Sequence, residues 1–356
     1  MTVAYINRIA TAVPANDVHK GFAHYARSLL RDSRKKLIFD KMLEKSQIDH
    51  RWSCQTLAAD CESSSFNGNA FYRRGEFPPT AERMRVYETA AFPLAVETLE
   101  KLELRTRVSD VSHIVIASCT GFSAPGLDLQ LVQHFGLNPS IERTIVGFMG
   151  CYAAINALKL ARHIVRSDPK AKVLVVCIEL CTLHFQETDE LDQILMFLLF
   201  ADGCAAALVS AEPVGLALDS FYSTVIPGTA DLMSWHIRDL GFDMVLSGDV
   251  PRNIYRALRA DQERVLDGAT PDEIGMWAVH PGGRTVLDAV EAALVLGPDA
   301  LGHSRGVLRQ FGNMSSATVL FVLKLFLDES RTKERGCAMS FGPGLTAETL
   351  LFRTAE

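Results

Sequence analysis

Short apolar runs alternate with longer amphipathic ones along this 356-residue chain, and that alternation most limits what it can fold into. The runs at 113–119, 172–180, 205–209, 276–280 and 337–341 have strand length. Those at 93–102, 127–135, 152–165, 285–296 and 317–327 carry apolar residues at helical spacing. Strands alternating with helices predict an α/β architecture. Several strands lack polar alternation and are expected to be buried on both faces. With 48% hydrophobic and 22% charged residues, the chain has apolar material for a large core. Its length points to two domains or one two-part fold. The best boundary is Ala211-Glu212-Pro213-Val214-Gly215, giving halves 1–213 and 214–356, and the polar segment 62–79 reads as a surface loop.

Several function classes are disfavoured. Net charge is −6, so nothing overall favours nucleic acid or an anionic membrane, and a polyanionic substrate would need a local basic patch. The first apolar run is interrupted by Arg8, and no basic segment precedes it, unlike a secretory signal. The longest apolar stretch, 194–200 continuing into 205–209, is cut by Asp202 and falls short of the roughly 18–20 residues of a membrane helix. A cytoplasmic protein without a membrane span is expected. The cysteines are Cys54, Cys61, Cys119, Cys151, Cys177, Cys181, Cys204 and Cys337. Without a secretory signal they do not suggest a disulfide framework. Only Cys177 and Cys181 are close in sequence, which gives a zinc site weak support.

Three polar residues stand at three helix entrances. In Gly147-Phe148-Met149-Gly150-Cys151-Tyr152, an apolar run passes through a turn-permitting glycine to Cys151, where a helix begins. Unpaired N–H groups and the helix dipole there favour a thiolate, and so a nucleophile. In Trp277-Ala278-Val279-His280-Pro281-Gly282-Gly283, a buried strand ends at His280, where α/β proteins place ligands. In Phe311-Gly312-Asn313-Met314-Ser315-Ser316, Asn313 precedes a very apolar helix. Each has an ordinary explanation alone: a packed cysteine, a structural histidine, an N-cap asparagine. Together they suit thioester condensation. A thiolate takes an acyl group, a second thioester loses CO₂, and the histidine and the amide donate to the resulting enolate oxygen. That chemistry needs no metal.

At these residues the sequence resembles the type III polyketide synthases, the chalcone synthase-like family, over nearly its whole length. Met149-Gly150-Cys151, His280-Pro281-Gly282-Gly283 and Gly312-Asn313-Met314-Ser315-Ser316-Ala317 match three of its motifs. Ser340-Phe341-Gly342-Pro343-Gly344 matches a fourth, with Ser340 replacing a glycine. The resemblance implies a duplicated thiolase-type fold in five αβαβα layers and a homodimer. It implies an acyltransferase acting on an acyl-CoA starter and malonyl-CoA, with no cofactor. Cys151 would be the nucleophile, and His280 and Asn313 the decarboxylation and oxyanion pair. His280 would also act as an imidazolium beside the thiolate. Phe200 matches the gatekeeper between CoA tunnel and cavity, although Ala201 replaces the usual following glycine. Ser315, Phe341, Gly342 and Pro343 are implied cavity residues. Lys41 and Lys45, one helical turn apart in a basic cluster, match residues that contact CoA.

Departures from the plant members bear on substrate. Met244 occupies the second gatekeeper position, with Phe242 as the alternative. Trp235 stands where aromatic-starter enzymes carry glycine. Cys119, Cys181 and His184 replace cavity threonines. These changes resemble bacterial and fungal members that use aliphatic starters and release alkylpyrones or alkylresorcinols, although core packing explains Trp235 and Met244 equally well. The rivals are a single-round ketoacyl synthase III, hydroxymethylglutaryl-CoA synthase, for which no glutamate motif stands out, a cysteine hydrolase, and a non-catalytic acyl-CoA binding protein.

Overall fold

A computed structural model describes residues 2–56, 71–329 and 331–355. The chain opens with β1 (Tyr5–Ala12), β2 (Asn16–Asp17), α1 (His19–Leu29), α2 (Ser33–Lys45), β3 (Trp52–Ser53) and α3 (Thr80–Lys101). Next come β4 (His113–Ser118), α4 (Leu127–Phe135), β5 (Glu142–Gly147), α5 (Ala153–Ser167), β6 (Val173–Leu180), α6 (Leu191–Phe197) and β7 (Asp202–Ser210). The remainder is β8 (Leu216–Val225), the hairpin β9 (Met233–Arg238) and β10 (Gly241–Leu246), α7 (Val250–Val265), β11 (Met276–Val279), α8 (Arg284–Leu294), α9 (Gly302–Phe311), α10 (Thr318–Asp328), β12 (Arg335–Gly342) and β13 (Thr346–Thr354).

Nine strands form one mixed sheet in the order β11-β12-β13-β8-β1-β7-β6-β4-β5. β4 runs parallel to β5 and β6, and β11 parallel to β12; the other pairs are antiparallel. Two wings meet at β1 and β8, where only Tyr5–Ala217 and Ile6–Leu216 face each other. So short a seam lets the wings turn about the helices between them.

Those helices are α5 and α10. α10 packs on β1 and β7 of one wing and on β11 and β12 of the other, and α5 on β4, β6 and β7 and on β12 and β13. Both are therefore central. Their sequences permit it: α10 (TVLFVLKLFLD) is apolar nearly all round, and α5 lays Ala153, Ala154, Ala157 and Ala161 close against strands. Val319, Leu320, Phe321, Val322, Leu323 and Phe326 of α10 are buried, each worth roughly 1.5–3 kcal/mol relative to exposure. α3 covers the outer face of the first wing, and α7 and α8 that of the second. Three apolar cores, the middle one lying on both sides of α5 and α10, thus join helix, sheet, helix, sheet and helix, the five expected layers.

Two expectations need correction. The helix expected at 93–102 begins at Thr80 and carries Pro93 in its interior. Pro93 is exposed, so the carbonyl it leaves unpaired meets water. Of the expected loop 62–79, residues up to 70 lie outside the described part, as does Cys61, while Phe71 and Tyr72 are buried in the core. Among the described residues, no helix is long and apolar enough to cross a membrane.

Candidate active site

Cys151 lies in a 3₁₀ turn, Gly150–Tyr152, that leads directly into α5. Gly150 has φ +77°, and a Cβ there would come within 2.6 Å of Pro343 Cδ, so glycine lets the loop after β12 close over the cysteine. His280 directly follows β11. Its backbone N–H donates to Met339 O at 2.7 Å, and Gly282 N–H donates back to His280 O at 2.9 Å. The backbone is fixed while the ring is not: among the described residues neither ring nitrogen has a hydrogen-bond partner, at 1% exposure. A structural histidine held by a carbonyl would have one. Asn313 pairs by backbone with the residues flanking Phe200, its N–H donating to Leu199 O at 2.8 Å and its carbonyl accepting from Ala201 N–H at 2.9 Å. Its Oδ1 accepts from Ser315 N–H at 2.9 Å, and Nδ2 reaches Gly282 O only at 3.4 Å. The amide therefore caps the turn with its oxygen and turns its NH₂ toward Cys151 and the Gly282 carbonyl.

The three side chains line one cavity of about 630 Å³, the size of a small-molecule site. Its apolar wall includes Leu195, Met196, Leu198, Leu199 and Phe341, and Lys45, Arg252 and Arg284 supply cations. Behind it lies a pocket of only about 20 Å³, lined by Cys119, Thr120, Cys181, Phe197, Trp235, Ser315 and Pro343 among others. That is room for about one water. Cys151, Phe200, Met233 and Met244 line both spaces, so they form the partition.

Most expected residues thus meet at one place. Met244 is on the partition, whereas Phe242 is stacked behind it on His184, ring centroids 4.0 Å apart. His184 is not on the cavity wall: its Nε2 bonds Thr120 O at 2.7 Å and its Nδ1 accepts from Phe242 N–H at 3.2 Å. Burial holds it neutral, its pKa lowered to about 3. Gly342 contributes no cavity surface, and of the two lysines only Lys45 lines the opening; Lys41 is exposed one turn away. Met233, Arg252 and Arg284 were not singled out from the sequence.

Neither was Glu179, although a lone carboxylate in the otherwise apolar Val173–Leu180 was a visible signal. It accepts from Cys119 N–H at 3.0 Å, Thr120 Oγ1 at 2.8 Å and Ser316 Oγ at 2.5 Å, and the Cys119 thiol lies 3.4 Å from both its oxygens. Cys119 Sγ in turn is 3.3 Å from Ser315 Oγ. Burial pushes Glu179 up to about 6, opposed by these hydrogen bonds. Burial and the Glu179 charge push Cys119 and Cys181 well above the ordinary thiol range.

Burial opposes charge on both Cys151 and His280. Burial pushes Cys151 up to about 12, against the opposing hydrogen bonds of Ser315 and Asn313. Burial alone lowers His280 to about 3.

Comparison with known proteins gives the family. Residues 3–213 match the chalcone and stilbene synthase N-terminal domain and residues 217–356 the C-terminal domain. The alpha-pyrone synthesis polyketide synthase-like Pks18 of Mycobacterium tuberculosis and of Mycobacterium bovis is 33% identical, over 99% of this chain and 91% of that protein. The crystal structure of PKS-I from the brown alga Ectocarpus siliculosus matches with a TM-score of 0.87 and 28% identity, covering 99% of both chains. The type III polyketide synthase domain of Steely1 from Dictyostelium shares the fold at a TM-score of 0.88 and 24% identity, over 99% of this chain and 100% of that one. The chain belongs to the chalcone and stilbene synthase family and is a type III polyketide synthase, an acyltransferase.

Proposed function

We propose that the enzyme extends an aliphatic acyl-CoA starter by repeated decarboxylative condensation with malonyl-CoA and releases a pyrone or resorcinol-type product. The observation carrying this reading is the convergence of Cys151, Asn313 and an unpartnered His280 on one largely apolar cavity. His280 takes the Cys151 proton as sulfur attacks the starter carbonyl; the C–S bond to CoA breaks, the departing CoA thiolate takes a proton from solvent, and His280 keeps its Nε2–H. Malonyl-CoA then loses CO₂, and the electron pair moves to the thioester oxygen as an enolate. His280 Nε2–H and Asn313 Nδ2–H donate to that oxygen. The enolate carbon attacks the Cys151-bound acyl carbon and displaces the thiolate, giving a β-ketoacyl-CoA for the next round. No metal or organic cofactor takes part.

The apolar lining and the filled inner pocket support an aliphatic starter, and a relative described as acting in alpha-pyrone synthesis agrees with it. Lys45, Arg252 and Arg284 would meet the CoA phosphates, with Lys41 beside them. We read the chain as two thiolase-like halves, 1–213 bearing the cysteine and 214–356 the histidine and asparagine, working as a homodimer. Incubation with malonyl-CoA and a panel of acyl-CoAs, with products read by mass spectrometry, tests this. Pyrone or resorcinol masses from fatty acyl starters should appear and vanish in Cys151→Ala. A clear preference for an aromatic starter would overturn the starter class. A single β-keto product, made only from carrier-protein thioesters, would overturn iteration.

A further inference from the structure

Arg51 is 1% exposed, in the core beside the partition. One guanidinium nitrogen, Nη1, donates to two carbonyls of the gate segment, Phe197 O at 2.8 Å and Phe200 O at 2.7 Å. Nε donates to His19 Nδ1 at 2.9 Å, and the guanidinium lies 4.6 Å from the Phe22 ring centroid. Its aliphatic stem packs on Gly312, where a Cβ would come within 2.9 Å of Arg51 Cγ and where φ is +70°. The surrounding segment reaches the same turn from the other side: Asp49 and His50 N–H donate to Arg309 O at 2.8 and 3.1 Å, and Trp52 Nε1 to Gln310 O at 3.0 Å. Arg51 thus stands between the segment ending in Phe200 and the turn presenting Asn313, which are themselves paired by backbone. A buried cation is expensive unless its position is used.

We infer that Arg51 is a positioning residue that holds the Phe200 gate and the Asn313 amide in one register, so that thioester admission and enolate stabilisation depend on a single buried side chain. This rests on the function proposed above. The planar fork, rather than the charge, is what spans these partners.

Arg83 is the internal control. It is equally buried and donates through Nη1 to two carbonyls, Leu183 O at 2.6 Å and Phe185 O at 2.8 Å, but does not touch Phe200 or Gly312. Malonyl-CoA decarboxylation would be measured in the full-length enzyme for Arg51→Lys and Arg83→Lys, normalised to the fraction of Cys151 that a starter acyl-CoA can acylate. Arg51→Lys should lower kcat per acylatable site about 10- to 100-fold, as expected of a reacting geometry displaced by about an ångström, and should broaden the range of starters accepted. Arg83→Lys should leave both readouts within about twofold. If either lysine variant fails to fold, the corresponding Arg→Met pair carries the comparison. Equal kcat per site in Arg51→Lys and wild type, or an equal fall in Arg83→Lys, would overturn the inference. No decarboxylation by the wild type would instead bring down the parent reading, and this one with it.

Discussion

Glu179 shows how much a single side chain can depend on convergence. Its carboxylate is fully buried and held by donors from β4's end, the following turn and the turn before α10. Burial raises its pKa from the ordinary 4.5 to about 6. A raised acid favours the fold when protonated, so its contribution is fully present below about 4.5 and is lost as pH climbs through about 6. The shift corresponds to about 2 kcal/mol. Urea unfolding of wild type and Glu179→Gln at pH 4 and pH 7.5 should therefore show the stability difference moving by about that amount in the variant's favour at the higher pH. A difference constant across pH would mean Glu179 does not titrate abnormally. Cys151, His280 and Asn313 were legible without a structure, because each sits at a glycine-containing turn whose local sequence already says strand end or helix start. Glu179 stood out only as a lone carboxylate in an apolar strand, since nothing near it in sequence names the hydroxyls that surround it. His184 failed in the opposite way: its position suggested a wall residue, but the Thr120 carbonyl and the Phe242 amide use both its nitrogens.

Among the elements, the hairpin β9–β10 controls the inner space. Trp235 and Met244 are direct cross-strand neighbours, and both line the inner pocket. Trp235 Nε1 donates to Cys119 O at 2.8 Å, which ties the hairpin to the end of β4. Met244 has no polar donor to anchor it and can be cut back with a cavity as the main consequence. Met244→Ala should lose about 2–5 kcal/mol of stability and shift products toward longer polyketides, read by mass spectrometry after incubation with malonyl-CoA. An unchanged product spectrum would mean that the growing chain never crosses the partition. The hairpin was not anticipated from sequence, because Ser234, His236, Arg238 and Asp243 break up its apolar pattern. The strands anticipated were the buried ones: β4, β6, β7, β11 and β12. β13 escaped because Glu348 interrupts it, yet that carboxylate is buried and satisfied by Lys159 from α5 and Ser223 from β8. A polar residue whose partners come from other elements looks, in sequence, like the edge of a loop.

At the scale of the whole molecule, the two ends of the nine-stranded sheet differ. β11 closes one end with four buried residues, packed against α9 and α10. β5 ends the other with Glu142, Arg143, Thr144 and Ile145 exposed, and nearby Phe122 is exposed too. An uncovered edge strand offers unpaired N–H and C=O groups and invites association. Such an edge is managed either by charge or by a partner. β5 carries charge only at its first two positions, and its apolar half is the part next to the Gly147–Cys151 loop. A second copy packed there would cover Ile145 and Phe122 and brace the approach to the nucleophile, consistent with the homodimer proposed above. Light scattering on the eluting wild type should give twice the chain mass at micromolar concentration, and Ile145→Lys should shift it to the single-chain mass. Loss of condensation in that monomer, with Cys151 still acylated by the starter, would tie assembly to the later steps. A wild type that elutes as a monomer would rule out β5 as the seam and leave its edge to be guarded by Glu142 and Arg143 alone.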